Sequence, residues 1–396
     1  MDAAPPKDHN TSIEALGRLV LEALHDYRIT SEAGTGPVLV QKPAAELAEE
    51  LGLEAWLREG GLDAANVEDF LTPYLENTQH MHHPGYIGHQ VAVPHAGSSL
   101  ADMVHGAINN PMAIYEMGPA ASVIERVVLN WMLGKVSWFK GSGVTDFAPH
   151  EVNGAGVLTH GGSLANLTAV LAARAAFAPE AWEEGVPPDF AIIVPKAAHY
   201  SMARAVSIAG MGQNAICPAP VTDMDVLRPE ALETVYTQAT ERGRKVFMVS
   251  ANACATSTGL YDPVDEIADF CETRGLWLHI DGAHGASALL SDDTKHLMKG
   301  VARADSLIWD AHKMMRTSAL VAAVLFKDQK HLSGAFQQDG SYIFHDKNQP
   351  GFDLAPYTVE CTKAALGTKL FWVLAMEGEQ GLGDFVARQY ADTRTF

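Results

Sequence analysis

"GLWLHIDGAHGASALL", residues 275–290, decides how the rest of the chain is read. Leu276, Trp277, Leu278 and Ile280 form a short apolar run of the length and composition that a buried strand needs. Asp281 follows at once, then Gly282, Ala283 and His284. A carboxylate is costly to bury alone, so Asp281 calls for a partner at the mouth of the core. The small residues after it read as room for something flat to approach the backbone.

Outward from that strand, the same grammar recurs. Strand-like runs occur at 156–160, 190–195, 245–250, 276–280 and 306–309, with helical segments at 164–177, 229–242 and 264–273 between them. Strands interleaved with helices of this length predict an α/β domain around a largely parallel sheet covered on both faces. In such sheets ligands bind beyond the carboxyl ends of the strands.

The first ninety or so residues are different. Ile13, Leu16, Val20, Leu24 and Tyr27 follow helical spacing, and residues 43–61 read as a second amphipathic helix. A loop, "HMHHPGYIGHQ" (80–90), precedes a long helix expected over 121–139. The expected organisation is a helical N-terminal segment (1–95), a large α/β domain (96–355) and a final segment (356–396).

Composition narrows the function classes. The 396 residues are 47% hydrophobic and 19% charged, which suits a folded chain rather than a disordered one. Against 28 Lys and Arg stand 48 Asp and Glu, a formal net charge of -20 that repels phosphate backbones and argues against nucleic acid. Four scattered cysteines without a C-x-x-C pair, and a start lacking the pattern of a secretory signal, imply a cytoplasmic protein with reduced thiols. Apolar stretches such as 318–326 are too short to span a bilayer, so no membrane partner is expected. His80, His82, His83, His89, His95 and His105 lack matched ligand spacing and a cysteine companion, so no metal is expected either.

Three strand ends carry the chemistry. In "LTHGGSLANLTAV" (158–170) a strand, Gly161-Gly162-Ser163 and a helix place free N–H groups and a hydroxyl where the helix dipole favours an anion. In "ADSLIWDAHKMM" (304–315) Asp310, His312 and Lys313 emerge together from another strand. Each alone is ordinary: a capped helix, a solvated lysine. An anion seat, the carboxylate of Asp281 and the amine of Lys313 together are the parts a pyridoxal 5'-phosphate site requires. The lysine forms an imine with the cofactor aldehyde, and the carboxylate keeps the pyridine nitrogen protonated.

"GVLTHGGSLANL", "AAHYSMARA", "LHIDGAHGASAL" and "DSLIWDAHKMM" occur in the order and approximate spacing of the group II pyridoxal-phosphate-dependent amino-acid decarboxylases, and residues 80–380 resemble that family. The resemblance implies fold type I, the aspartate-aminotransferase-like architecture of PLP-dependent transferases. A mostly parallel seven-stranded sheet then lies between helices, with a C-terminal small domain of which 356–396 would be the start. It implies that Lys313 carries the cofactor, preceded by His312, that Asp281 faces the pyridine nitrogen, and that Ala283 lies under the ring. His199 would stack on the other face and help position the substrate, Gly162, Ser163 and Asp310 would lie at the phosphate, and Thr256 would lie beside the cofactor. Tyr342, in "GAFQQDGSYIFHD" (334–346), matches the catalytic-loop tyrosine that returns a proton, and His89 falls at a substrate-contacting position. The implied activity is decarboxylation of an L-amino acid to an amine, in a homodimer with the site near the subunit interface. Transamination, carbon–sulfur lysis and an inactive binding subunit remain alternatives on the same fold.

Overall fold

The computed structural model describes residues 11–148, 153–336 and 351–395. The chain divides into two compact units, 1–89 and 90–396.

The first unit holds four helices: α1 (Ile13–Glu32), α2 (Ala44–Glu50), α3 (Leu53–Glu59) and α4 (Val67–Glu76). α1 begins at Ser12, whose side chain accepts the N–H of Ala15. The single helix expected over 43–61 is two, because Gly52 adopts the left-handed conformation (φ 60°) between them. After α4 the chain returns beside α1, and the Tyr27 and His80 rings lie 5.2 Å apart.

The second unit opens with α5 (Ala96–Ile108) and α6 (Pro119–Lys135). α6 stops four residues before the expected end, because Ser137 turns into the left-handed region (φ 65°). Strands and helices then alternate: β1 (Ala155–Thr159), α7 (Gly162–Phe177), the short α8 (Ala181–Glu184), β2 (Phe190–Pro195), α9 (Tyr200–Ile208), β3 (Ile216–Ala219), α10 (Leu232–Glu241), β4 (Lys245–Asn252), α11 (Val264–Arg274), β5 (Trp277–Asp281), β6 (Ser306–Asp310), β7 (Ala322–Phe326) and α12 (Gln329–Ala335). α13 (Leu366–Thr395) follows and is broken at Gly378 (φ 69°).

The seven strands form one sheet in the order β1-β7-β6-β5-β4-β2-β3. β7 runs antiparallel to both its neighbours, and the remaining pairs are parallel. The sheet is therefore mostly parallel, as the alternation predicts. Apart from the edge strand β3, the strands are buried along nearly their whole length because helices cover both faces.

Side chains alternate between those faces. Leu278 and Ile280 of β5, with Leu307 and Trp309 of β6, join the apolar core beneath α6, α10, α11 and α13. Trp277 and Ile308 join the opposite core, beneath α7, α9 and α12. The same period of two puts His279 and Asp281, and Ser306 and Asp310, on the α7 side. That register fixes what faces the site. Among the described residues, no helix is long and apolar enough to cross a membrane.

Candidate active site

At the carboxyl ends of β5 and β6 lies a cavity of about 340 Å³. Gly162, Ser163, His199, Thr256, Asp281, Ala283, Asp310, His312 and Lys313 all line it, so nine residues singled out in the sequence converge on one space. Tyr342 lies outside the described residues. His89 is the last residue of the first unit and has a positive φ of 31°.

Each wall has a local cause. The turn from β1 into α7 needs φ 102° at Gly161, a conformation that glycine takes without a Cβ clash. Gly162 and Ser163 then open α7, and as first-turn residues their N–H groups have no carbonyl within the helix to bond. A methyl on Gly162 would sit 3.0 Å from Asp310 Oδ2, so the missing side chain lets β6 and α7 close on each other. After Asp310 the chain turns, with the Lys313 N–H on the Asp310 carbonyl, and Lys313 Nζ folds back to 3.3 Å from Asp310 Oδ2. His312 is fixed by its Nδ1, 2.7 Å from the carbonyl of Val321.

Gly282 plays another part than the sequence suggests. Ala283 lines the cavity and Gly282 does not. A Cβ on Gly282 would lie 2.7 Å from Leu307 and 2.9 Å from Ala286. Its smallness serves the packing of β5 on β6, and Ala283 is the small residue that faces the cavity.

The electrostatics are those of a buried polar pocket. Asp281 accepts the Asn166 Nδ2–H at 3.0 Å and, through its other oxygen, the Ala283 N–H at 3.3 Å. Burial pushes Asp310 up to about 7, against the opposing pull of Lys313. Burial holds His284 down to about 4, with Lys313 adding to the effect. Burial also lowers His199; the field of Asp281 opposes this, while Lys313 and Arg204 reinforce it. Cys254 is pushed up to about 11 by burial, so it stands as a neutral thiol.

Sequence reasoning missed Asn166, Ser201, Asn252 and His284, all of which line the cavity. Asn166 had one available signal: it lies four residues after Gly162, on the same face of the helix. Among the described residues, no group of His, Cys, Asp and Glu side chains is arranged to hold a metal.

The cavity fits pyridoxal phosphate by its own chemistry. It offers an amine, an N–H-bonded carboxylate and a helix N-terminus. Three of its buried polar atoms, Asp310 Oδ1, His284 Nδ1 and Asn252 Nδ2, lack a hydrogen-bond partner. Buried atoms of this kind ordinarily have partners, so a polar ligand suits the space.

Comparison with known proteins gives the same answer. Residues 64–396 match the family described as the pyridoxal-dependent decarboxylase conserved domain. The chain is 29% identical to the human acidic amino acid decarboxylase GADL1 over 358 residues, covering 89% of this chain and 66% of that protein. It is 28% identical to the human cysteine sulfinic acid decarboxylase, covering 94% and 73% respectively. The crystal structure of mouse CSAD superposes with a TM-score of 0.88 at 27% identity, over 97% of this chain and 77% of that one. The chain thus spans just under two thirds of the length of GADL1 and somewhat more of the others. With its seven-stranded, mostly parallel sheet, the architecture is fold type I. A match over 333 residues, on a fold whose strand ends gather the amine, the carboxylate and the anion seat, makes the chain a member of the pyridoxal-dependent decarboxylase family.

Proposed function

We propose that this chain catalyses the pyridoxal 5'-phosphate-dependent decarboxylation of an acidic L-amino acid to the corresponding amine and carbon dioxide. The observation that carries this reading is the presence of Lys313 and Asp281 in one cavity, on the ends of neighbouring segments of the sheet. Support for an acidic substrate comes from the names of the GADL1 and cysteine sulfinic acid relatives.

When bound, the cofactor supplies an aldehyde for the amino group and a ring that accepts the electron pair released as carbon dioxide leaves. Lys313 Nζ would hold that aldehyde, yield it to the substrate amine and take it back as the product amine leaves. Asp281 would keep a proton on the ring nitrogen as a charge-assisted partner. Ala283 and His199 would bracket the ring, and Thr256 would contact its edge. The open N–H groups of Gly162 and Ser163 would receive the phosphate, and Asp310, which burial pushes up to about 7, would donate to an anion when it holds a proton. His312 would hold the Lys313 turn through Val321. Tyr342 as the proton donor and His89 as a substrate contact rest on the sequence resemblance alone.

The same proposal includes a cytoplasmic homodimer, which sedimentation would reveal as twice the chain mass. Its chemical core is tested by supplying acidic, aromatic and basic L-amino acids and measuring carbon dioxide release against keto-acid formation. Carbon dioxide with amine from an acidic substrate is expected. Keto acid without carbon dioxide would assign the chain to transamination instead.

A further inference from the structure

Behind the cavity wall lies a line of buried polar side chains that the proposed chemistry does not touch. Trp277 Nε1 is 2.8 Å from Ser306 Oγ, Ser306 Oγ is 2.8 Å from His279 Nδ1, and His279 Nε2 is 2.9 Å from Asn166 Oδ1. Asn166 Nδ2 then reaches Asp281 Oδ2 at 3.0 Å and Ser201 Oγ at 2.9 Å. Ser201 Oγ lies 2.8 Å from His199 Nδ1. Ser306, His279 and Asn166 are 0% exposed and Trp277 is 3% exposed, in a layer whose neighbours are apolar. A buried polar network whose members are satisfied fixes one arrangement of its side chains.

The two ends of this line fix its direction. An indole N–H can only donate, and a carboxylate can only accept. From the indole end, Ser306 accepts from Trp277, and its hydroxyl hydrogen stays available for His279 Nδ1. From the carboxylate end, Asn166 must turn its amide N–H to Asp281, which turns its carbonyl to His279 and requires the proton on Nε2. With the proton on Nε2, His279 Nδ1 accepts the Ser306 hydroxyl hydrogen, which suits the indole end. The second amide hydrogen of Asn166 goes to Ser201 Oγ, and the Ser201 N–H points at His199 Nδ1 at 3.3 Å, which makes Nδ1 an acceptor that also takes the Ser201 hydroxyl hydrogen. His199 is thereby left with its proton on Nε2.

We propose that Trp277, Ser306, His279 and Asn166 form a one-directional positioning relay that holds Asp281 as a hydrogen-bonded carboxylate and His199 as the Nε2–H tautomer. The relay rests on the reading of Asp281 and His199 as cofactor partners, because only then does their fixed state prepare the site. Trp277, Ser306 and His279 do not line the cavity; they act through Asn166. Burial holds His279 down to about 4 and lowers His199, so both rings are neutral at pH 7, as the relay requires.

Selective ¹⁵N-histidine labelling of the full chain, without and with pyridoxal phosphate, reads the tautomers by long-range ¹H–¹⁵N correlation. His279→Gln and His199→Gln assign the two signals. The expected wild-type result is the Nε2–H tautomer at both residues, already present without cofactor. An Nδ1–H tautomer at His279, or a mixture at His199, would overturn the relay whether or not any variant folds. Asn166→Asp keeps the shape but replaces the amide donor by an acceptor. The Ser201 hydroxyl should turn to it, His199 should move its proton to Nδ1, and kcat should fall about 10–100-fold with KM nearly unchanged, as when a supporting partner behind a metal-bound histidine is lost. An Asn166→Asp protein with wild-type kcat and an unmoved His199 tautomer would also overturn it. Because the tautomers are read on the cofactor-free chain, the expected tautomers in a chain that releases no carbon dioxide would sink the proposed function and not the relay.

Discussion

Asp281 and Asp310 end adjacent strands, face the same cavity and are 7% and 2% exposed, yet their surroundings are opposite. Asp281 receives N–H groups on both oxygens, from Asn166 and Ala283. Asp310 leans on Lys313 through one oxygen, while the other, Oδ1, has no partner, and burial pushes the group up to about 7. Two buried carboxylates a strand apart are thus sorted by their supply of hydrogen-bond donors, not by depth. Asp281 is met by donors on both oxygens, and Asp310 keeps one oxygen open toward the cavity.

The sharpest way to break this contrast is Lys313→Ala. It takes away the cation on Asp310 and the amine proposed for the cofactor. Turnover should fall by about 10⁴-fold or more, and the visible imine absorbance should vanish with it. A variant that still forms amine would remove the lysine from the mechanism.

Asp310→Asn probes the donor-poor member of the pair through stability. Burial pushes the folded carboxyl up to about 7, above the usual carboxylate value of about 4. Its contribution is therefore fully present below about pH 4 and is lost as pH rises through 7. The advantage of wild type over the Asn variant should shrink by about 4 kcal/mol across that window, read from urea midpoints of the cofactor-free chain. Parallel pH curves for the two proteins would mean that Asp310 titrates normally.

Asp281→Asn keeps the shape at the donor-rich site and removes its charge. Some cofactor should still bind, and kcat should fall about 10²–10³-fold. Near wild-type turnover would sink the assignment of Asp281 to the ring nitrogen. The mildest change is Gly162→Ala, whose methyl would meet Asp310 Oδ2 at 3.0 Å. A loss of about tenfold in cofactor affinity is expected, with kcat at saturation little altered. Titration of the visible absorbance with pyridoxal phosphate measures it.

Much of the site was legible because strands advertise their ends. Asp281 and Lys313 stand just past apolar runs of β5 and β6, and Gly161-Gly162-Ser163 marks the junction of β1 and α7. Polar residues inside the elements gave no such cue. His279 sits within an apolar strand and Ser306 begins another, and only the pairing of the two strands shows that they touch. Asn166 and Ser201 lie on different helices and meet through the tertiary fold. For the fold, β3 escaped notice because it is four residues long at the sheet edge and contains Pro218. β7 was visible only as an apolar run, since its antiparallel pairing depends on partners far away in sequence.

The central claim is that Lys313 carries the cofactor opposite Asp281. Reduction of the cofactor-loaded protein with borohydride, followed by proteolysis and mass spectrometry, locates the covalent pyridoxyl group directly. The label is expected on the peptide containing Lys313 and on no other lysine. A label on a different lysine, or none on a protein that binds the cofactor, would contradict the account.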